Sequence, residues 1–296
     1  MKRRNTRPTT AIDLQPSSIA VTVLEPASGT FLARAAHRDL DTKSDPDEQR
    51  HHITHELADL LLELDAPRDH VAIHIQDNTT TLLTAELPPL KPKDLPDAIH
   101  AHLLVTLPRG VDGLTFRYIE TLRTRTAVHA LILTTPNAHL EWLTSVAADT
   151  ELTLVHAQPR VISLAHAYLA FDPEPTTTTL IAHVGQQRAN IALINDGALQ
   201  LARITPSGAS ALDKHPLALH DDIGATLDLH EPDGTTVIPA IVTGLDEHHP
   251  AITHVASNVR VRFLEPRLHA VRFTNDADPT NHLLELGLAH AAGLTP

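Results

Sequence analysis

The sequence predicts an α/β fold assembled from a duplicated unit, and three observations lead there. Thr176 to Gly208, TTTTLIAHVGQQRANIALINDGALQLARITPSG, reads as three consecutive strands joined by tight turns and followed by a loop feeding a helix. Thr9 to Leu40 repeats that plan, with Ala11-Ile12-Asp13-Leu14 falling opposite Ala182-His183-Val184-Gly185 within a residue or two and Ser28-Gly29 opposite Asp196-Gly197. Between the two meanders, apolar residues recur at helical spacing, as at Leu57, Leu60, Leu61 and Leu64.

Taken in order, Ser44 to Leu64 is expected to be a helix, with acidic residues in its first turn and its leucine face on the first sheet. His70 to Gln76 alternates as a half-buried strand, and Thr79 to Pro88 continues as another across a turn at Asp77-Asn78. The Pro-rich LPPLKPKDLP breaks the sheet before a helix from Asp97 to Leu107. LTFRYIETL and TAVHALILT then pair across the turn at Arg123-Thr124-Arg125. A helix over Pro136 to Asp149, a strand at ELTLVHA and a helix over Arg160 to Ala170 follow, and Asp172 to Pro175 reads as a crossover. Ala209 to Pro239 is polar and broken by proline and glycine. After it come a strand in Thr235 to Leu245, a helix near Pro250 to Ser257, a strand at NVRVRFLEP and a helix over Asn281 to Ala292 capped by Gly293.

A chain of 296 residues has room for two lobes, each with its own core. A formal charge of −13 argues against a general nucleic-acid binder, because phosphate contacts need clustered Lys and Arg. The basic MKRRNTR start reads as a disordered leader, and the prolines and acids after it leave no signal peptide. No stretch approaches the ~20 apolar residues of a spanning helix, so a soluble, cytoplasmic protein without direct membrane insertion is expected. The absence of cysteine removes disulfides, thiolate chemistry and Cys-ligated zinc.

The paired meanders resemble the actin/Hsp70-like ATPase fold, in which two ribonuclease-H-like domains clamp a nucleotide between their first turns. Within that fold the chain is similar to the PilM-like type IV pilus assembly proteins, cytoplasmic relatives of FtsA. The similarity runs in order through Thr84 to Pro108, Pro136 to Ala170 and Leu283 to Leu294. It implies an actin-like α/β fold of duplicated ribonuclease-H-like domains. The expected division is a basic tail at 1–8, a first domain at 9–171 carrying a small inserted subdomain at about 87–134, and a shortened second domain at 172–296.

The resemblance also locates a nucleotide site and shows it degraded. Phosphate-binding turns use glycine so that backbone N–H groups can approach the anion. The first turn, Gly-Ile-Asp-Ile-Gly-Ser in the family, reads Ala11-Ile12-Asp13-Leu14-Gln15-Pro16-Ser17, and Pro16 has no N–H to give. The second, usually Asp-Ile-Gly, reads His183-Val184-Gly185, with an imidazole where Mg²⁺ prefers oxygen. The third retains one glycine of two in Thr243-Gly244-Leu245. Asp13, Ser17, Gly185, Gly208 and Gly244 are thus a relic or minimal site. ATP and Mg²⁺ are expected to bind weakly or not at all, and no catalytic residue is assigned.

Twenty-two histidines invite a metal hypothesis, best at His51 and His55, one helical turn apart in HHITHE beside Glu56. Histidines spread through the whole chain favour a compositional origin on solvated faces, and no metal ligand is assigned. Pro206-Ser207-Gly208 is not a nucleophile elbow. Trp142 is expected to pack between a helix and the sheet.

The leading functional expectation, carried by the resemblance, is a non-catalytic cytoplasmic scaffold of an inner-membrane pilus or secretion assembly. In the PilM-like family the cytoplasmic N-terminal peptide of a bitopic PilN-like partner docks between the first domain and its insert. Leu83, Leu87, Leu90, Leu95, Ile99, Leu103 and Leu104 are the candidate lining by position and apolar pattern, with a subdomain core as the other reading of the same residues. Two alternatives stay open: a nucleotide-binding switch or ATPase, and the cytoplasmic domain of a type II secretion L-like adaptor, normally joined to a transmembrane helix that is not seen before Pro296. Self-association is left open.

Overall fold

The computed structural model describes residues 7–27, 30–171, 178–230, 238–246, 248–256, 260–263, 271–277 and 282–293. The expected leader, the turn at Ser28-Gly29 and the crossover at Asp172 to Pro175 lie outside the described residues, apart from Arg7 and Pro8. A meander comes first: β1 (Thr9–Gln15), β2 (Ser18–Ala27) and β3 (Thr30–Asp39) pair antiparallel in chain order. β1 and most of β2 are buried on both faces, so Ala, Ile, Leu, Val and Thr follow one another there without polar alternation, Asp13 being the one buried charged residue of β1. β4 (Val71–Ile75) lies parallel to β1, and β8 (Leu154–Pro159) parallel to β4. β14 (Val271–Phe273) joins the other edge beside β3, giving the order β14-β3-β2-β1-β4-β8.

Asp45 caps α1 (Pro46–Glu63), accepting hydrogen bonds from the backbone N–H groups of Asp47 and Glu48, and Pro46 stands in the first turn, where no donor is needed. Ile53, Leu57, Leu60 and Leu61 form its buried stripe, and the helix touches β2 and β3. Beyond α3 (Asn137–Asp149), α4 (Arg160–Phe171) packs against α8 (Leu283–Gly293), which also touches β1, β2 and β4. A Cβ on Gly287 would stand 2.1 Å from the carbonyl oxygen of Ser163 and 2.9 Å from the Ala167 Cβ. Glycine at this position is what lets α8 lie so close to α4.

The plan then repeats. β9 (Thr179–Val184), β10 (Ala189–Asn195) and β11 (Ala198–Thr205) form a second antiparallel meander, and β12 (Pro239–Thr243) and β13 (Arg260–Phe263) extend it in parallel, in the order β11-β10-β9-β12-β13. Asp196 and Gly197, at φ 50° and 73°, make the two-residue β10–β11 turn with both residues left-handed, the geometry that suits Asp-Gly. Between β11 and β12 the described residues form α5 (Ala209–Leu212) and α6 (Ala218–His230), and α7 (Pro250–Ala256) follows β12. Leu212, Leu219, Ile223, Ile252 and Val255 from these helices meet Leu180, Ile191 and Leu193 in one core.

The insert is a three-stranded antiparallel sheet, β5 (Thr81–Leu87), β7 (Val128–Pro136) and β6 (Leu114–Arg123) in that spatial order, with α2 (Leu95–Thr106) packed against it. It begins earlier than the expected residue 87. The run from Thr79 does not continue the sheet of β4, because β1 and β8 already occupy both edges of that strand and β5 needs another partner.

By compactness the chain divides into one unit of residues 1–76, 142–174 and 264–296 and another of 77–141 and 175–263, the cut falling inside α3. This division by compactness differs from the expected one at 172 in two places. β14 and α8 belong with the first sheet, where β3 offers an edge and β1 and β4 an apolar face. The insert groups with the second meander, where β5, β6 and β7 touch β11.

Candidate functional site

The first unit holds a buried cluster of charged and polar side chains contributed by four elements. Asp13 stands one residue past the last registered β1–β4 pair, Ile12 opposite Ile73, so it lies beside His74. Arg160 opens α4 and Glu285 stands in the first turn of α8. Asp13 is 5% exposed, His74 0% and Glu285 3%, a burial that ionisable side chains tolerate only with compensation. His74 Nδ1 is 3.3 Å from one Asp13 oxygen, and Arg160 Nε is 3.5 Å from the other. The Gln15 amide donates to Asp13 at 3.0 Å. His74 Nε2 is 2.8 Å from Ser163 Oγ, which also accepts from the Gln158 amide at 2.8 Å. Donor atoms of Asp13, His74 and Glu285 all lie within 4.8 Å of one another.

Burial works against a charge on Asp13, but Arg160, then His74 and Gln15, outweigh it and hold the carboxyl far below its usual range. Burial first, and the neighbouring Asp13 charge second, push Glu285 up to about 7, against the pull of His74 and Arg160. Two carboxyls a few ångströms apart are thus driven in opposite directions. Asp13 is the anion that neutralises Arg160, and Glu285 carries a proton for part of the time near neutral pH.

Of the sequence-expected nucleotide residues, Asp13 therefore faces a closed set of side chains, and Gln15, standing where glycine was expected, folds its amide back onto it. In the same turn Ser17 gives its carbonyl to the Leu40 N–H at 2.7 Å, and the Gln49 amide donates to the Pro16 carbonyl at 3.0 Å.

Gly185, Gly208 and Gly244 come together in the second unit. Gly185 N–H donates to the Arg188 carbonyl at 2.9 Å and its own carbonyl accepts from Ala209 N–H at 2.9 Å, while Ser210 N–H donates to the Gln186 carbonyl at 3.1 Å. A Cβ on Gly208 would stand 2.2 Å from the Gln187 carbonyl carbon, and one on Gly244, at φ 81°, 2.2 Å from the Val184 carbonyl oxygen. Close backbone packing alone accounts for these two glycines. His183, in the place of the expected carboxylate, is 8% exposed with Nδ1 2.9 Å from Thr243 Oγ1.

The seven candidate lining residues separate by burial. Leu87, Leu95, Ile99 and Leu103 are in the core of the insert with Val128, Ala130 and Ile132, and Leu83 and Leu90 pack against it half-buried. The apolar pattern at those four positions is that of an amphipathic helix and strand covering each other, the subdomain-core reading of these residues. Leu104 is 53% exposed, next to Val105 at 89%. In α1, Glu56 is taken by Arg38 at 2.8 Å, and His55 lies 3.6 Å from Asp59. Trp142 is half-buried on α3.

Sequence reading missed His74, Arg160 and Glu285. Two of them carried a signal: a histidine inside VAIHI and a glutamate inside LLELGL are polar residues within otherwise apolar runs. Nothing in the sequence said that they meet.

The sequence matches no protein-family profile and no curated protein. Solved structures do match. One from a type IV pilus biogenesis complex, PilM-PilN, is 12% identical over 97% of this chain and 99% of its own, with a TM-score of 0.78. A protein from Bacteroides thetaiotaomicron with an actin-like ATPase fold and unknown function is 12% identical over 95% and 96%, with a TM-score of 0.52. The chain has the actin-like ATPase fold. The cytoplasmic domain of EpsL, an inner-membrane component of the type II secretion system of Vibrio cholerae, shares this actin-like architecture at 14% identity over 95% and 94%, with a TM-score of 0.58. Among the described residues of this actin-like chain, no helix is long and apolar enough to cross a membrane.

Proposed function

We propose that this chain is a cytoplasmic actin-like scaffold of an inner-membrane type IV pilus or related secretion assembly, docking the cytoplasmic N-terminal peptide of a bitopic PilN-like protein without hydrolysing ATP. The observation that carries this reading is the near end-to-end likeness to the protein solved as a PilM-PilN complex. The lower score of the type II secretion relative favours the pilus version. The state of the turns supports the absence of hydrolysis: Asp13 is closed in by Gln15, His74 and Arg160, and His183 stands where a carboxylate would serve Mg²⁺. Phosphoryl transfer is nearly all positioning and charge neutralisation, so these changes remove most of what it needs.

A labelled peptide copying the partner's cytoplasmic N-terminus tests the docking reading, and Leu104 with Val105 on the exposed side of α2 is the place to weaken it. Saturable binding that is weakened at least tenfold by Leu104→Asp is expected. No binding by the unaltered chain would remove the docking reading. Thermal unfolding with Mg-ATP tests the other half, since a ligand at ~100 times its dissociation constant stabilises by about 2.7 kcal/mol. No shift is expected at millimolar nucleotide, and a clear upward shift would favour the nucleotide-switch alternative.

A further inference from the structure

We propose that Asp13, His74 and Glu285 form a buried site for one divalent transition-metal ion of the zinc class, independent of nucleotide and of the proposed docking role. Three different elements, β1, β4 and α8, bring one nitrogen and two carboxylate donors within 4.8 Å of one another. Of the side-chain atoms in this cluster, Glu285 Oε2 is buried without a hydrogen-bond partner, and His74 Nδ1 has only the Asp13 oxygen, at 3.3 Å and outside good hydrogen-bond geometry. A buried polar atom left unpaired is costly, and a cation would satisfy both at once.

The spacing fits. Two ligands on a tetrahedral ion with ~2.0 Å bonds lie about 3.3 Å apart. His74 Nδ1 and the facing Asp13 oxygen are 3.3 Å apart. The remaining adjustment falls on Glu285, whose Oε2 lies 3.8 Å from His282 Nδ1, too far for a hydrogen bond. A mixed nitrogen and carboxylate set suits zinc, cobalt or manganese better than magnesium or calcium, which prefer oxygen alone.

The surrounding polar groups are placed as a metal-bound histidine requires. Ser163 Oγ, at 2.8 Å from His74 Nε2, can accept a hydrogen bond from Nε2–H and leave the Nδ1 lone pair for the ion. The Gln158 amide fixes that hydroxyl. Gly287 lets α8 approach Ser163, which keeps Glu285 in reach. Arg160 works against the ion electrostatically, but it lies on the other Asp13 oxygen and balances the second carboxylate charge.

The test is Co²⁺ titration of the full chain after chelation, read by its visible ligand-field absorption, with Zn²⁺ competition and thermal unfolding alongside. One equivalent of tightly bound Co²⁺ is expected, displaced by Zn²⁺, with a higher melting temperature in either metal. Glu285→Gln, which keeps the shape, should lose the band while unfolding cooperatively without metal. Ser163→Ala should weaken binding roughly 10–100-fold, the usual loss when the group orienting a ligand is removed. His51→Ala/His55→Ala should leave the band unchanged, separating the buried site from binding to surface histidines. Absence of a band and of any melting shift in the unaltered chain would overturn the proposal. So would a band that persists in Glu285→Gln or disappears in His51→Ala/His55→Ala.

Discussion

At the scale of single residues, burial decides chemistry more than residue type does. His166 on α4 is largely buried with Nδ1 3.3 Å from the Gln158 amide; burial first, then His156 and His290, lower it to about 4. Folding thus favours its neutral form. Its contribution is fully present above the unfolded value of about 6.5 and is lost as the pH falls from there toward 4, by up to roughly 3 kcal/mol. Urea unfolding across that range should show stability falling with acidity. His166→Gln should flatten the slope, and an unchanged slope would assign it to other groups. Gly287 is the second case. Any side chain there meets the Ser163 carbonyl and Ala167, so Gly287→Ala should destabilise by about 1–3 kcal/mol through overpacking, measured as a lower denaturation midpoint. A neutral or stabilising result would mean that α8 can slide on α4.

At the scale of elements, the insert folds on its own apolar pattern. Ile99 is 0% exposed at the centre of α2 against Val128, Ala130 and Ile132. Ile99→Ala should cost about 2–5 kcal/mol, seen as early loss of amide protection in β7. If a docking peptide needed Ile99 itself, the same change would abolish peptide binding under conditions where the insert stays folded. The packing assignment instead expects binding to fail only as the insert unfolds. The N-terminus of α1 is simpler. Asp45→Ala removes acceptance from two N–H groups and should cost about 1 kcal/mol of stability.

At the scale of the whole molecule, the duplicated plan is completed by a segment far away in the chain. α8 places Leu283, Leu284, Leu286 and Leu288, each at most 2% exposed, in the core of the first unit. At about 1.5–3 kcal/mol for each buried leucine, removing them takes roughly 6–12 kcal/mol, comparable with the entire stability of a domain. A chain ending after residue 277 should therefore lose amide protection in β1 and β4. Retained protection there would show that the sheet is stable without its helical cover.

The sequence by itself determined the duplicated meander and most of the order of helices and strands, α6 and β14 excepted, because period-two and helical patterns, caps and turn glycines are local signals. It also marked His74 and Glu285 as polar residues within apolar runs. Only the tertiary structure decided that Asp13, His74, Arg160 and Glu285 meet, that β5 leaves the sheet of β4, and that β14 and α8 return to the first unit. Those outcomes depend on which strand edges are already occupied and which apolar faces still need cover, and that follows from the assembled sheets. The same leucines of the insert could read as a groove or as a core until α2 lay against β5 and β7 and buried four of them.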